Sequence, residues 1–153
     1  MIKTNKNSKN SSTNDVGILL LSHGSRLPDS RDVINSLKEK YQEEFPEHIV
    51  EIGFMEIAKP NIPEAFENLK KRGNLNKIIV VPVFVAHGLH TKRDIPNILG
   101  LETEKIKIEH NHHHHHHHEV EKVDFDGEIV FTDPLGDDLL VLEIIKKRIS
   151  NAL

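Results

Sequence analysis

The feature that most constrains the fold is the run of β-branched and apolar residues at 78–85, IIVVPVFV. A run this short, bounded by polar residues, is typical of a strand that is buried on both faces, as in a parallel sheet. The segment AHGLH at 86–90 follows at once and places two imidazoles in one short loop. Because the carboxyl ends of the strands face the ligand crevice in an open α/β sheet, this stretch predicts a metal or acid–base site there.

Other segments have the same strand character, and helical patterns separate them. The further predicted strands are Val16–Ser22, Ile49–Ile57 and Glu128–Thr132. Apolar residues at helical spacing, with or without capping residues, mark three helices. The first has a stripe at Val33, Leu37 and Tyr41, and the second has a face at Ile62, Ala65, Phe66 and Leu69 behind the capping pair Asn61 and Glu64. The closing helix has a face at Leu139, Leu142, Ile145 and Ile149 and is capped by Asp137 or Asp138. Residues 91–101, which contain Pro96, are predicted to form a helix or an irregular turn.

The resulting order, β-α-β-α-β-α-β-α, predicts an α/β fold: a four-stranded parallel sheet with helices on both faces. A flavodoxin-like strand order 2-1-3-4 would place the first and third strands side by side where the winding reverses, which is where ligands bind in such sheets. It would also bring His23 and His90 to the same crevice from opposite walls.

Composition sets the broad class of the protein. The chain has 153 residues, which suits one domain over residues 15–153, preceded by a disordered tail at 1–14 and interrupted by a histidine-rich insertion at about 102–126. Its 24 acidic and 20 basic residues indicate no affinity for nucleic acid or anionic membranes. No cysteine is present, so thiolate chemistry is excluded. The polar tail lacks the apolar core of a signal peptide, so we expect a cytoplasmic protein.

Histidines follow two of the predicted strands that would be neighbours. His23 lies in the turn SHGSR after the first strand, and His87 and His90 follow the third. Each could be an ordinary loop residue bonded to nearby carbonyls, but their shared location favours a common site. Imidazole without thiolate suits nickel, cobalt, zinc or iron. A pair of histidines makes an open site, which suits an ion that must be passed on rather than a structural ion.

Charged residues also follow these strands. Glu56, near the end of the second predicted strand, would either take up protons at the crevice or be a solvated strand end. Four cations, each of which would be solvated if considered alone, would together surround the crevice as an anionic substrate requires: Arg26, Lys59, Lys92 and Arg93.

The insertion carries an unbroken run of histidines, His112–His118. Such tracts bind late transition metals readily. We interpret this one as a metal-collecting loop rather than a catalytic one, because a flexible tract cannot hold a transition-state geometry. The alternative interpretation is a low-complexity loop that has no function.

In combination, four segments resemble the short, single-domain sirohydrochlorin chelatases of archaea: GILLLSHGSRLPDSR, VEIGFMEIAKPNIPEAF, IIVVPVFVAHGLHTKRDIPNILGL and DPLGDD. The resemblance extends from about Val16 to the C-terminus. It implies a class II chelatase half-domain that forms a homodimer and acts as a lyase. Such an enzyme inserts cobalt or nickel into the anionic tetrapyrrole sirohydrochlorin without an organic cofactor, on the route to cobalamin or to the nickel tetrapyrrole of methanogenesis.

The resemblance also implies roles for particular residues. The family's metal-binding histidines fall on His23 and His90. The substrate-contacting positions are Lys59, Val85, Ala86, His87, Gly88, Leu89 and His90, although an acidic residue is common in relatives at the lysine position. Metal insertion needs a proton acceptor near the ring, and a neutral histidine can serve because its ordinary pKa lies near operating pH. We therefore expect His23 to accept a proton, His90 to ligate the metal, and Glu56 to act as a possible proton outlet.

Two other functions compete with this interpretation. A metal storage or delivery protein would use the histidine tract as its whole function. A histidine phosphatase would need an arginine directly before its nucleophilic histidine, but Ser22 stands there. The phosphatase is therefore the weaker alternative.

Overall fold

A computed structural model of the protein describes residues 15–101 and 121–153, except for the side chains of Leu89 and His90. Within those ranges, one sheet is formed by β1 (Val16–Ser22), β2 (Ile49–Phe54), β3 (Lys77–Pro82) and β4 (Glu128–Phe131). All pairings are parallel and the order is β2-β1-β3-β4, so the predicted fold and strand order are confirmed.

Helices connect the strands and follow the last one: α1 (Pro28–Glu44), α2 (Ile62–Arg72), α3 (Leu89–Ile98) and α4 (Leu139–Ala152). The predicted capping box of α2 is present, since the Glu64 amide donates to the Asn61 side chain at 2.9 Å and the Asn61 amide donates to the Glu64 carboxylate at 3.3 Å. Asp138 caps α4 through a 2.8 Å bond from the Leu140 amide.

The sheet is buried on both faces, and β1 contributes to each core. Leu19 and Leu21 pack with α2 and α3, whereas Ile18 and Leu20 pack with α1. This explains why the β1 sequence is continuously apolar rather than alternating. The loop after β1 therefore starts from the most firmly held strand of the molecule.

The apolar stripe predicted for α1 is wrong in its register. Val33 and Leu37 are 61% and 41% exposed, whereas Ile34 is 2% exposed. Ile34 shares its face with Tyr41, which lies seven residues further on and also packs against the sheet. The four-residue spacing in the sequence did not distinguish this face from the adjacent one.

The apolar runs after β2 and β3 continue beyond the strands themselves. β2 ends at Phe54 rather than at the predicted Ile57, and β3 ends at Pro82 rather than at Val85. After β3, the chain is still bonded to its neighbours, because the Phe84 and Val85 carbonyls accept from the amides of residues 135 and 136 at 2.9 and 2.8 Å. The apolar run thus includes part of this bonded loop as well as the strand, which is why the predicted strand end is too late.

The connection from α3 to β4 begins and ends at the edge of the sheet where the strands start. The Val123 amide donates to the Ile98 carbonyl at 3.0 Å, so the two described flanks of the insertion lie together there. The predicted tail at 1–14 and the tract His112–His118 lie outside the described residues.

The apolar face predicted for α4 is present, but the described part of the chain leaves it exposed. The exposed fractions are 76% for Leu139, 46% for Leu142, 49% for Ile145 and 56% for Ile149. Among the helices of residues 15–101 and 121–153, none is both long and apolar enough to cross a bilayer.

Candidate active site

The candidate site lies at the carboxyl edge of the sheet, where the loops after β1 and β2 are bonded to each other. The Met55 amide donates to the Ser22 carbonyl at 3.0 Å, and the Glu56 amide donates to the His23 carbonyl at 3.3 Å. The pairing of the two strands thus extends beyond their ends. As a result, His23 and Glu56 lie side by side.

Gly24 allows the two loops to approach this closely. Its φ is +100°, and a Cβ atom added to it would lie 1.8 Å from the Glu56 carbonyl oxygen. A side chain would meet backbone there in a conformation that L-residues rarely adopt. The turn SHGSR after β1 therefore packs against a neighbouring loop, next to the candidate site.

His23 and Glu56 form an accessible ion-pair geometry. The distance from His23 Nδ1 to Glu56 Oε1 is 3.7 Å, and the two side chains are 58% and 61% exposed. Both groups can therefore reach a ligand above the sheet edge. An imidazole beside a carboxylate can accept a proton and have the resulting charge stabilised by the neighbour.

A phenylalanine that the sequence analysis did not single out joins this pair to the loop after β3. The Phe84 ring centroid lies 5.9 Å from that of His23 and 5.5 Å from that of His87, edge to face with the latter. The two imidazoles thus flank one apolar ring. Only the position of Phe84, two residues before the AHGLH segment, could have indicated this role.

A buried threonine holds His87 in one orientation and favours one tautomer. The Thr91 hydroxyl donates to the Gly88 carbonyl at 3.0 Å, so toward His87 Nδ1, 3.1 Å away, it can only accept. This arrangement favours the tautomer of His87 with the proton on Nδ1 and the lone pair on Nε2. Burial lowers the pKa of His87, and Lys92 adds to this while Asp133 opposes it. The ring is thus a neutral donor of a lone pair.

The second predicted metal ligand is only partly described. His90 and Leu89 lie in the first turn of α3, directly after Gly88, and their side chains lie outside the description. The convergence of the His23 and His90 rings therefore stays a prediction. Among the side chains that are described, no group of three or more histidines or acids could hold a metal ion.

The remaining predicted substrate contacts lie at the surface of the same edge. Val85, Ala86 and Gly88 are exposed. Lys59 is 84% exposed and its ammonium lies 3.6 Å from Glu64, so it is loosely paired. All of these positions are accessible to a large ligand.

The cations expected around the crevice differ in their partners. Arg93 donates to Asp94 at 3.2 Å, whereas Arg26 and Lys92 form no salt bridge within residues 15–101 and 121–153. Arg31 was not predicted from the sequence. Its guanidinium stacks on the Phe54 ring at 4.8 Å and donates to the Lys59 carbonyl.

The fold resembles that of two solved structures. One is a putative cobalamin (vitamin B12) biosynthesis CbiX protein from Marinobacter aquaeolei VT8, with a TM-score of 0.60, 23% identity, and coverage of 90% of this chain and 97% of that one. The other is SirB from Bacillus subtilis with Fe3+, with a TM-score of 0.63, 24% identity, and coverage of 90% of this chain and 47% of that longer one. At these identities the likeness supports the fold alone.

Sequence comparison is more specific. The chain is 49% identical over 138 residues to the sirohydrochlorin cobaltochelatase of Methanothermobacter thermautotrophicus, covering 90% of this chain and 93% of that protein. It is 51% identical over 140 residues to the sirohydrochlorin cobaltochelatase of Methanopyrus kandleri, covering 90% and 97%. The sequence pattern of the CbiX family matches residues 17–152. The chain therefore belongs to the CbiX family.

Proposed function

We propose that this protein is a chelatase that inserts Co2+, Ni2+ or both into sirohydrochlorin. The observation that carries the proposal is the accessible His23–Glu56 pair at the carboxyl edge of the sheet, in a chain about half identical to sirohydrochlorin cobaltochelatases. This edge is where ligands bind in sheets of this topology.

The chemistry of insertion matches the groups at this edge. One divalent ion enters the ring, sheds its water, and replaces two pyrrole protons, which must leave. In our proposal, His23 and His90 first ligate the incoming ion. As the ion passes to the ring, the freed imidazole nitrogen of His23 accepts one pyrrole proton, which Glu56 passes to solvent, and the second proton leaves by the same route. Few protein ligands suit this task, because an ion held too tightly would stay on the protein.

The segment 85–90 and Lys59 are the proposed substrate contacts. The exposure of Val85 and Ala86 and the Phe84 ring between the imidazoles support an apolar surface for a flat macrocycle. The oriented lone pair of His87 offers a further polar contact beside that surface. The cations at the edge suit the ring's carboxylates.

Three finer points stay predictions. Both cobalt and nickel accept imidazole ligands, and affinity order alone does not set selectivity in the cell. The route served, to cobalamin or to the nickel tetrapyrrole of methanogenesis, follows from the metal used. The cytoplasmic location is the third.

The direct experiment mixes the protein with sirohydrochlorin and either Co2+ or Ni2+ and follows the absorption spectrum. We expect metallation well above the spontaneous rate for at least one ion. A variant lacking His112–His118 should keep its rate within about twofold when metal is ample, because general acid–base groups fixed on the fold supply the chemistry.

The storage hypothesis makes the opposite prediction. If removal of the tract abolishes turnover in excess metal while the His23→Ala change does not, the protein is a metal store. If no ion reacts above the spontaneous rate with the complete chain, the enzyme assignment itself is wrong.

We also propose a homodimer, and α4 supports it. Leu139, Leu142 and Ile145 are about half or more exposed on this helix. On the sheet face shared with α1, the apolar side chains of Ile79 and Val130 are partly rather than fully buried among the described residues. A second copy whose α4 lies over this face would bury both surfaces, and isologous pairing of this kind is the commonest form of oligomer.

The dimer predicts a specific response to one charge. Ile145→Glu should convert the protein to a monomer at micromolar concentration, because it would bury an unpaired carboxylate. Lys71→Glu, on the exposed side of α2, adds the same side chain elsewhere and should leave the mass unchanged. Light scattering after size-exclusion chromatography measures the mass. A wild-type monomer, or an Ile145→Glu dimer, would contradict the proposal.

A further inference from the structure

A cleft lies next to the His23–Glu56 pair. It has a volume of about 380 Å3 and lies between the loop after β1, through Ser25 and Leu27, and the loop after β2, through Ile57 and Ala58. Ser25 is two residues after His23, and Ile57 directly follows Glu56. A ligand above the imidazole–carboxylate pair would therefore extend over this cleft.

Arg31 is fixed in the wall of the cleft. Its guanidinium lies 4.8 Å above the ring of Phe54, a residue that is fully buried, and one of its nitrogens donates to the Lys59 carbonyl. Stacking and this backbone bond hold the planar group without neutralising it. Arg31 forms no salt bridge with any residue of the described ranges, so its other donors remain for a ligand.

Arg26 adds a second cation to the same cleft, whose lining contains no acidic side chain. Arg26 is exposed and makes no salt bridge within the described part of the chain. Two arginines without a carboxylate between them repel each other unless an anion lies close by. A planar guanidinium fork matches a carboxylate with two parallel hydrogen bonds.

The loop that forms the opposite wall is strained. Ile57 has a φ of +69°, and the Ala58 amide donates to the Glu56 carbonyl at 2.7 Å, which makes a γ-turn centred on Ile57. A β-branched residue in this region is unfavourable and persists where the surroundings impose it. The turn leaves the Ile57 side chain 63% exposed at the cleft, where Leu27 is 67% exposed. The cleft is thus bounded by apolar side chains as well as by two cations.

We propose that this cleft binds one carboxylate-bearing side chain of the tetrapyrrole, with Arg31 as the bidentate partner and Arg26 as the second cation. The proposal rests on the proposed function, since sirohydrochlorin carries many peripheral carboxylates. It assigns Arg31 and Arg26 to substrate positioning, apart from metal binding and proton transfer. The apolar walls would contact the methylene groups of the same side chain.

The test is a titration of the protein with metal-free sirohydrochlorin, followed by its absorption spectrum. We expect Arg31→Gln to weaken binding about tenfold or more, as loss of a charge-assisted bidentate pair does. Arg31→Lys keeps the charge but loses the fork, so it should restore only part of the affinity. Arg26→Gln should weaken binding severalfold. Lys71→Gln removes an exposed cation on α2 and should have no effect.

Steady-state metallation at saturating Co2+ provides the second measurement. The arginine variants should raise KM for sirohydrochlorin and leave kcat within about twofold of the wild-type value. The reason is that the lost interaction is made equally in the bound substrate and in the transition state. Unchanged affinity in both Arg26→Gln and Arg31→Gln would overturn the proposal, and Arg26→Gln guards against misfolding because its side chain is exposed. If the wild type binds the tetrapyrrole but metallates it with no ion, the proposed function is wrong. The titration would then still show whether Arg31 and Arg26 bind the tetrapyrrole.

Discussion

Replacing His23 by alanine should lower kcat for metallation by about 100- to 1000-fold, because the change removes the proposed proton acceptor beside the ring, and general acid–base groups contribute on this scale. The side chain is 58% exposed, so the free energy of unfolding should change little. The measurement is the initial rate of metallation at saturating sirohydrochlorin and metal. Added imidazole should restore part of the rate.

His48 provides the matched control for this substitution. It lies directly before β2, at the opposite edge of the sheet, where its Nδ1 bonds to the Tyr41 hydroxyl at 2.8 Å. His48→Ala removes the same chemical group, so kcat should stay within about twofold of the wild type. Equal losses of kcat in the two variants would mean that His23 has no special part in catalysis.

Replacing Gly24 by alanine should destabilise the protein and disable the site together. The left-handed backbone alone costs a non-glycine residue about 1–2 kcal/mol. Here the added Cβ would also lie 1.8 Å from the Glu56 carbonyl oxygen, so the two loops must separate. We expect a loss of about 3 kcal/mol or more in the free energy of unfolding. Metallation should fall as well, because His23 and Glu56 no longer lie together. Urea denaturation measures the first effect.

Gly100→Ala separates the cost of the left-handed backbone from the cost of the contact with the neighbouring loop. Gly100 has a φ of +71° and no atom within 4 Å of the position that a Cβ would take. Its replacement should therefore cost only the backbone penalty of about 1–2 kcal/mol and leave metallation unchanged. If Gly24→Ala lowers the free energy of unfolding no more than Gly100→Ala does, the two loops can separate at little cost, contrary to our expectation.

The fold was predictable because its signals are local. Short apolar runs and capping residues mark each element, and the bounds of β1 at Val16–Ser22 were predicted correctly. The strand order then predicted that the loops after β1 and β2 are neighbours, which places Glu56 near His23. Strand periodicity predicts the parallel sheet, whereas the strand order was taken from flavodoxin-like sheets, because the sequence alone does not fix it.

The contacts that shape the site were not predictable, because they join residues far apart in the chain. Arg31 bonds the Lys59 carbonyl 28 residues away, and nothing near either residue indicates the contact. The contacts of Thr91 are local instead, to His87 and Gly88, but the sequence does not show that its hydroxyl bonds to both. The register of α1 depends on whether Ile34 or Val33 meets the sheet, and both are apolar. Tertiary packing decides such choices.

The bond between Val123 and Ile98 has a consequence for how this protein can vary. Because the flanks of the segment between α3 and β4 are clamped together at the end of the sheet remote from His23, residues can be gained or lost between them at little entropic cost. The length of that segment can therefore change without displacing the loops that hold His23 and Glu56 at the other end of the sheet.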